Sequence, residues 1–227
     1  MLIEVEGKKT VFKRFQIAPR EHTKLILPML EEVLDQANLT LENVDAIAFG
    51  RGPGAFTGLR IATGIAQGLA LSVDKPTIPV SSLSAMALAA KKEIISDEAN
   101  HSIVVAIDAR MGEVYWAEFM IADGQIELLG DEQLSKPEVM FKKTQELATQ
   151  KTVTVIGSGW DEYIRAFEEC VTNEVTSSLT HLTQKFPAAE EICELALIAY
   201  EKGEQFSVED SQPVYLRNNV AEKSKKK

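Results

Sequence analysis

The sequence has few of the side chains from which proteins build metal sites and disulfide frameworks. It contains two cysteines, Cys170 and Cys193, and no C-x-x-C spacing, so it signals neither a disulfide framework nor a zinc site. Its three histidines, His22, His101 and His181, are too dispersed along the chain to suggest a ligand cluster. We therefore expect no metal site.

Basic residues are also scarce relative to acidic ones. The chain has 24 lysines and arginines against 34 acidic residues, which gives a formal net charge of -10. Because nucleic-acid phosphates are bound by basic patches, we expect any role with RNA or DNA to be indirect. No apolar run reaches the length of a membrane span and the first residues lack a signal-peptide core, so we expect a cytoplasmic protein without a membrane partner.

Length and composition are those of an ordinary globular protein. The chain has 227 residues, 45% of them hydrophobic and 26% charged, which fits one large or two small domains. Predicted strands and helices alternate in the rhythm of an α/β fold. A polar stretch at 96–101 predicts a boundary between an N-terminal lobe, 1–100, and a C-terminal lobe, 101–221, with a disordered tail at 222–227.

One glycine-rich stretch organises the first half of the chain. A buried strand is predicted at 44–49, and a helix is predicted from Gly58 to Ser72. The loop between them contains Gly52, Gly54 and Thr57, and such a loop at the start of a helix is a candidate anion cradle.

The spacing of this loop does not match the two common phosphate-binding motifs. Leu59 stands where a P-loop needs lysine, and Thr57 stands where a dinucleotide-binding fingerprint needs its last glycine. A structural role is therefore favoured over anion binding, and both remain open.

The helix that follows the loop carries Gly64 and Gly68, four residues apart on one face. Each interior glycine costs about 1 kcal/mol relative to alanine, so the absence of a side chain has some use there. A helix face without side chains allows another segment to approach closely. Two interpretations stay open, packing on the chain's own sheet and an interface with another protein.

An aspartate ends the most apolar predicted strand. This strand runs over 103–108 and closes on Asp108 before a turn. An aspartate in this position is a candidate phosphate or metal position, or it can simply form the turn. The residues alone leave both interpretations open.

Four blocks of sequence resemble a known family. They are Pro19-Arg20-Glu21-His22-Thr23, the loop and helix at 50–70, the segment Ala106-Ile107-Asp108-Ala109-Arg110-Met111-Gly112-Glu113-Val114-Tyr115-Trp116-Ala117, and Pro213-Val214-Tyr215-Leu216-Arg217-Asn218-Asn219-Val220-Ala221. In this order they are similar to the TsaB (YeaZ) family of bacterial tRNA-modification proteins. Residues 120–185 match least.

The resemblance implies a two-lobed actin/sugar-kinase-like (ASKHA) fold without catalytic activity of its own. It implies a scaffold that acts with the proteins TsaD and TsaE in attaching a threonylcarbamoyl group to the adenosine beside the anticodon, in tRNAs reading codons that start with adenine. The chain alone is expected to form a homodimer and to contact tRNA only through the complex. No cofactor is expected on the chain itself, and ATP or ADP is expected only in the assembled complex.

The same resemblance implies a partner interface made by two helices, from about His22 to Ala37 and from Gly58 to Ser72. This favours the interface interpretation of Gly64 and Gly68. The expected interface residues are His22, Leu25, Met29, Val33, Ile61, Gly64, Ile65, Gly68 and Leu69.

Two further expectations depend on comparison with the family. The catalytic relative has a metal-binding H-x-x-x-H, and the matching register places Ser82 and Met86 there; serine is a poor ligand and a thioether a soft one, so the metal site should be absent. Family members also open with a strand of the type I-L-A-I-D-T. We therefore expect a fold lacking the first strand of lobe one. Either the sequence starts late relative to its gene or the protein has dispensed with that strand, and the first explanation is favoured because loss of a central strand would leave unpaired backbone groups.

Two alternative functions remain open at this point. One is an enzyme, either an ATP-dependent transferase or a glycoprotease-like hydrolase, that uses Asp108 and the loop with Gly52 and Gly54. The other is a homodimeric interaction protein outside tRNA metabolism.

Overall fold

The computed structural model describes residues 2–5, 8–18, 21–94, 101–183 and 186–217 of a mixed α/β protein. Its strands are β1 (Leu2–Val5), β2 (Lys8–Val11), β3 (Ile47–Gly52), β4 (Thr77–Ser81), β5 (His101–Arg110), β6 (Glu113–Ala122), β7 (Gln125–Ser135), β8 (Thr152–Ile156) and β9 (Leu179–Leu182). Its helices are α1 (His22–Ala37), α2 (Phe56–Ser72), α3 (Ser82–Glu93), α4 (Pro137–Ala148), α5 (Ser158–Glu168), α6 (Asn173–Ser177) and α7 (Ala189–Glu201). Within these ranges, no helix combines the length and the apolar character needed to cross a membrane.

The described strands form three sheets. β1 and β2 make an antiparallel hairpin, and β3 pairs in parallel with β4. The largest sheet has five strands in the order β7-β6-β5-β8-β9. In it, β5, β8 and β9 run parallel, while β6 is antiparallel to both of its neighbours.

The five-stranded sheet is covered on both faces, and β5 lies at its centre. Residues 101–106 are all buried. Val104 belongs to a cluster with Trp160 of α5, whereas Ile103 belongs to a cluster with Met86 of α3. Burial on both faces explains why this strand is a continuous apolar run, and the predicted strand at 103–108 is confirmed within the longer β5.

Helix α3 lies between the two parallel-strand regions of the molecule. It contacts β3 and β4 on one side and β5, β6 and β8 on the other. Its N-terminus is capped by the Ser81 hydroxyl, which accepts hydrogen bonds from the N–H groups of Leu83 (3.1 Å) and Ser84 (3.2 Å). The end of β4 and the start of α3 are therefore held as one unit.

Helix α7 returns the end of the chain to β3 and β4. Although it follows the five-stranded sheet in sequence, its Ala196 is buried with Ile78 and Val80 of β4. It also contacts α3 and β1. The predicted lobe boundary lies at 96–101; residues 96–100 lie outside the described residues and His101 begins β5, so that division stays a prediction. The tail at 222–227 also lies outside them.

Lysines hold α7 in place through its first turns. Lys92 of α3 pairs with Glu191 at 2.8 Å and with Glu194 at 2.7 Å. Partial burial by itself lowers the pKa of Lys92, but these hydrogen bonds outweigh it and the pKa is raised overall. Lys13 hydrogen-bonds Glu190, which lowers the pKa of Glu190. The stability contributed by this contact is present above the ordinary glutamate pKa and is lost as the pH falls through the lowered one.

Element boundaries differ from the predictions near glycines. The strand predicted at 44–49 is observed as Ile47–Gly52, because extended backbone continues through the loop glycines and pairs with β4 across a bulge. The helix predicted from Gly58 begins at Phe56, where the Leu59 N–H donates to the Ala55 carbonyl at 3.0 Å. The prediction for α1 is confirmed at His22–Ala37.

Candidate functional site

The candidate site is the turn between β3 and α2. Gly52 has φ +102°, and a Cβ built on it would lie 2.9 Å from Leu59 Cδ1 and 3.1 Å from the Val214 carbonyl oxygen. No side chain fits there, and the backbone angle itself is one that L residues rarely adopt. Glycine is therefore required at this position by both its angle and its surroundings. Gly54 has only Leu59 Cδ2 nearby, at 3.8 Å.

An ion pair anchors this turn to the five-stranded sheet. Arg51 donates from Nη1 to Glu132 Oε2 (3.2 Å) and from Nη2 to Oε1 (3.3 Å). Glu132 also accepts a hydrogen bond from the Ser81 hydroxyl. On the other side, the Val214 N–H donates to the Arg51 carbonyl at 2.8 Å. Four segments distant in sequence thus meet at Arg51.

Helix α2 has a buried face and an open face. On the open face Gly64 and Gly68 are exposed, and a Cβ added to either would meet no atom of the described chain within 4 Å outside the helix's own backbone. These glycines are therefore not explained by packing on the chain's own sheet. The buried residues of α2 are Leu59, Thr63, Ala66 and Ala70.

The remaining expected interface residues lie on α2 beside the glycines and on α1, which contacts α2. On α1, His22 is exposed, Leu25 and Met29 are half-buried, and Val33 is buried inside the chain. On α2, the half-buried residues are Ile61, Ile65 and Leu69. Their contact with a partner stays a prediction.

The predicted anion-binding residues are spread over several elements. Gly52 ends β3, Gly54 lies in the turn that follows and Thr57 is in the first turn of α2, whereas Asp108 lies near the end of β5. The Asp108 carboxylate accepts from the Arg110 N–H at 2.8 Å and pairs with the Arg110 guanidinium at 3.0 Å. These contacts are those of a turn-forming aspartate. Anion binding here stays a prediction.

The two positions expected to match metal ligands in the catalytic relative, Ser82 and Met86, are both buried. Ser82 is 5% exposed, and Met86 is fully buried against the five-stranded sheet. Among the histidines, His101 is buried beside Thr154, at 2.7 Å, and His181 pairs with Asp161 at 3.3 Å. In the described parts of the chain, no group of three or more histidine, cysteine, aspartate or glutamate side chains is placed to hold a metal ion.

The C-terminal strap, residues 206–217, ties the turn to the rest of the molecule. The Phe206 N–H and carbonyl both bond to the backbone of Thr77, at 3.0 Å each. The Gln67 side chain of α2 donates to the Ser211 carbonyl at 2.8 Å. The strap therefore joins β4 to α2 before it reaches the turn through Val214.

Aromatic and basic side chains make the contacts at the C-terminal end of the strap. The Arg60 guanidinium lies 3.9 Å from the Phe56 ring centroid and donates to the Tyr215 hydroxyl at 3.2 Å. Arg217 pairs with Glu113 at the start of β6. The strap thus spans from the start of α2 to the five-stranded sheet.

Sequence reasoning missed Glu132, Ser81 and Arg51 as parts of this site. Glu132 lies in the segment 120–185, where neither a motif nor the family resemblance drew attention to it. Only 8% of its side chain is exposed, which is unusual for a glutamate and requires a partner. That signal exists only in the folded structure.

Comparison with known proteins agrees with the mixed α/β architecture. The family model described as TsaD, tRNA N6-adenosine threonylcarbamoyltransferase, matches residues 14–225. The chain is 41% identical over 214 residues to the tRNA threonylcarbamoyladenosine biosynthesis protein TsaB of Escherichia coli (strain K12), covering 93% of this chain and 87% of that protein.

Two further similarities cover almost the whole chain. The protein of the same name from Haemophilus influenzae (strain ATCC 51907 / DSM 11121 / KW20 / Rd) is 38% identical over 222 residues, which span 94% of this chain and 86% of that one. The solved structure of YeaZ from Pseudomonas aeruginosa superposes with a TM-score of 0.76 at 34% identity, over 95% of this chain and 92% of that chain.

The geometry of the turn makes one prediction about stability. Gly52→Ala is expected to lower the free energy of unfolding by about 2 kcal/mol or more, because the new Cβ meets Leu59 and a backbone carbonyl at an unfavourable φ. Gly54→Ala is the matched control and should change it by less than about 0.5 kcal/mol. Urea denaturation measures both variants, and equal losses would contradict the assignment of strain to Gly52.

Proposed function

The chain belongs to the TsaB (YeaZ) family of tRNA threonylcarbamoyladenosine biosynthesis proteins, and on that premise we propose that it is a non-catalytic partner subunit whose α2 helix binds a TsaD-type protein. Family membership decides against an interaction protein outside tRNA metabolism. The observation that carries the proposal is the open glycine face of α2.

The two exposed glycines destabilise α2, and no contact within the described chain offsets that loss of stability. Each of Gly64 and Gly68 destabilises the helix by about 1 kcal/mol relative to alanine. Both face outward, with no neighbour in the described chain near a Cβ built on them. Small residues on a helix face allow a second helix to approach closely, and the half-buried Ile61 and Ile65 beside them offer apolar area to it.

The partner is proposed to be TsaD, with a second copy of this chain on the same face when TsaD is absent. The family model that matches residues 14–225 is itself described as TsaD, and this supports the proposal that TsaD offers helices equivalent to α1 and α2. TsaE is proposed to join this pair. With a formal net charge of -10, the chain contributes to tRNA binding only through the assembly, which acts in the cytoplasm where tRNA is found.

The absence of catalysis is proposed from the residues that occupy the matching positions. Ser82 and Met86 are buried in the core rather than open to a cleft. The enzyme alternative would need Asp108, whose carboxylate is already bonded to Arg110. These two arrangements support the proposal.

The two-lobed ASKHA fold is proposed with one further strand between β1 and β3. Helix α7 contacts β1, β3 and β4, yet the hairpin and the parallel pair form separate sheets in the described chain. A strand between them would pair with both. An N-terminal extension of the type I-L-A-I-D-T should slow amide hydrogen exchange in Leu2–Val5 and Ile47–Gly52; unchanged exchange would contradict this arrangement.

Gly64→Leu and Gly68→Leu test the interface. Each should weaken binding to TsaD by about thirtyfold or more, the loss expected when a central contact worth about 2 kcal/mol is blocked. The isolated chain should stay folded, because leucine is a better helix former than glycine at an open position. Calorimetric titration measures affinity, and thermal unfolding measures the fold.

The matched control is Gln145→Leu, which adds the same side chain to an exposed position on α4. It should leave the affinity for TsaD unchanged. Wild-type affinity in both glycine variants would show that α2 does not bind the partner.

A separate test addresses nucleotide and catalysis. We expect the chain alone to bind no ADP and to turn over no ATP, with nucleotide binding appearing only when TsaD and TsaE are added, because Leu59 replaces the lysine of a P-loop. Calorimetric titration with ADP and a phosphate-release assay measure this. Turnover of ATP or of a sialoglycoprotein by the pure chain, abolished by Asp108→Ala, would instead establish the enzyme alternative.

A further inference from the structure

Glu132 lies where three parts of the molecule meet. Its carboxylate receives two hydrogen bonds from Arg51, at 3.2 and 3.3 Å, and one from the Ser81 hydroxyl. Arg51 lies in β3 directly before Gly52 and the turn, Ser81 caps α3, and Glu132 comes from the edge strand of the five-stranded sheet. One buried side chain therefore connects the glycine turn to both neighbouring units.

A bulge in β7 delivers Glu132 to this position. Trp116 of β6 pairs with Gln133, whereas Glu118 pairs with Leu129, so three residues of β7 lie opposite one residue of β6. Gly130 opens the bulge with φ +78°. Bulges bend a strand and redirect its side chains, and they are common next to functional sites. The irregularity gives Glu132 a contact that a regular edge strand would not provide.

Arg51 is held at both its side chain and its backbone. The guanidinium binds Glu132, and the Arg51 carbonyl accepts the N–H of Val214 at 2.8 Å. Gly52 follows directly, and α2 begins four residues later at Phe56. Fixing Arg51 therefore fixes the direction in which the chain enters α2.

A buried ion pair is weak support for stability by itself, because the cost of removing charges from water offsets their attraction. Fixing one arrangement among several is the better-attested use of such pairs. Here the arrangement is that of the turn against α3 and the five-stranded sheet. The planar fork of arginine, which bonds the carboxylate through two nitrogens, restricts the orientation of the turn more than a single contact would.

We propose that Glu132 is a positioning residue, which through Arg51 and Ser81 sets the orientation of α2 and so presents the open face of that helix to its partner. The inference rests on the proposed function, in which α2 binds TsaD. It adds that a residue of the other sheet, outside the helix and its turn, controls that binding.

Glu132→Gln tests the inference with a nearly isosteric change. The affinity for TsaD should fall about tenfold, within the range by which residues away from an interface alter binding. In the free chain, amide hydrogen exchange over residues 50–60 should become faster while exchange in β5 stays unchanged. Arg51→Gln should have the same effects. The double variant should lose no more affinity for TsaD than either single variant does.

Glu118→Gln is the matched control. Glu118 borders the β7 bulge through its backbone pairing with Leu129, but its buried side chain pairs with Lys143 of α4 at 3.0 Å and, in the described chain, makes no hydrogen bond or ion pair with Arg51 or Ser81. Its loss should lower thermal stability without changing TsaD affinity or exchange over residues 50–60. Equal loss of affinity in the Glu118 and Glu132 variants would reduce the effect to general destabilisation and overturn the inference.

The outcomes also separate this inference from the proposed function. If Gly64→Leu abolishes TsaD binding while Glu132→Gln binds like the wild type, the interface stands and the positioning role is overturned. If Gly64→Leu binds normally, the interface assignment fails. Exchange over residues 50–60 in the free chain then decides the positioning role, and unchanged exchange in Glu132→Gln would overturn it.

Discussion

The close approach at Gly52 is the constraint on which the candidate site depends. Its backbone lies between the Leu59 side chain and the Val214 carbonyl, where no Cβ fits. Because the residue has no side chain, β3 can turn into α2 within a few residues while the C-terminal strap lies against the same turn. The backbone of Gly52 therefore fixes the relative positions of β3, α2 and the C-terminal strap. The strap residue that it contacts, Val214, lies some 160 residues further along the chain.

Ion pairs connect elements that hydrophobic packing alone would leave free to shift. Burial in the five-stranded sheet is non-directional and tolerates several arrangements of the units around it. The pair of Arg51 with Glu132 and that of Arg217 with Glu113 each join the region around α2 to that sheet. The Arg51–Glu132 pair is the more buried of the two. It restricts the arrangement of these units more strongly, because water competes less with its hydrogen bonds.

Met86, which is expected to stand at a metal-ligand position of the catalytic relative, serves packing in this chain. Met86 is fully buried, and its Cε lies 3.2 Å from where a Cβ on Gly157 would be. Gly157, with φ +115°, and Gly159 bring the start of α5 onto Ala106 of β5 at a distance that no larger residue allows. These two glycines therefore serve contact between a helix and a strand.

Local patterns in the sequence determined the elements and some of their faces. The apolar run at 103–108 predicted a strand, and the four-residue spacing of Gly64 and Gly68 predicted a helix with one face lacking side chains, because period and side-chain size are local properties. Only the tertiary structure decided that this face points away from the chain, and only it placed Glu132 beside Arg51. Both depend on contacts between residues far apart in sequence, and the second depends on a bulge that no periodic pattern encodes.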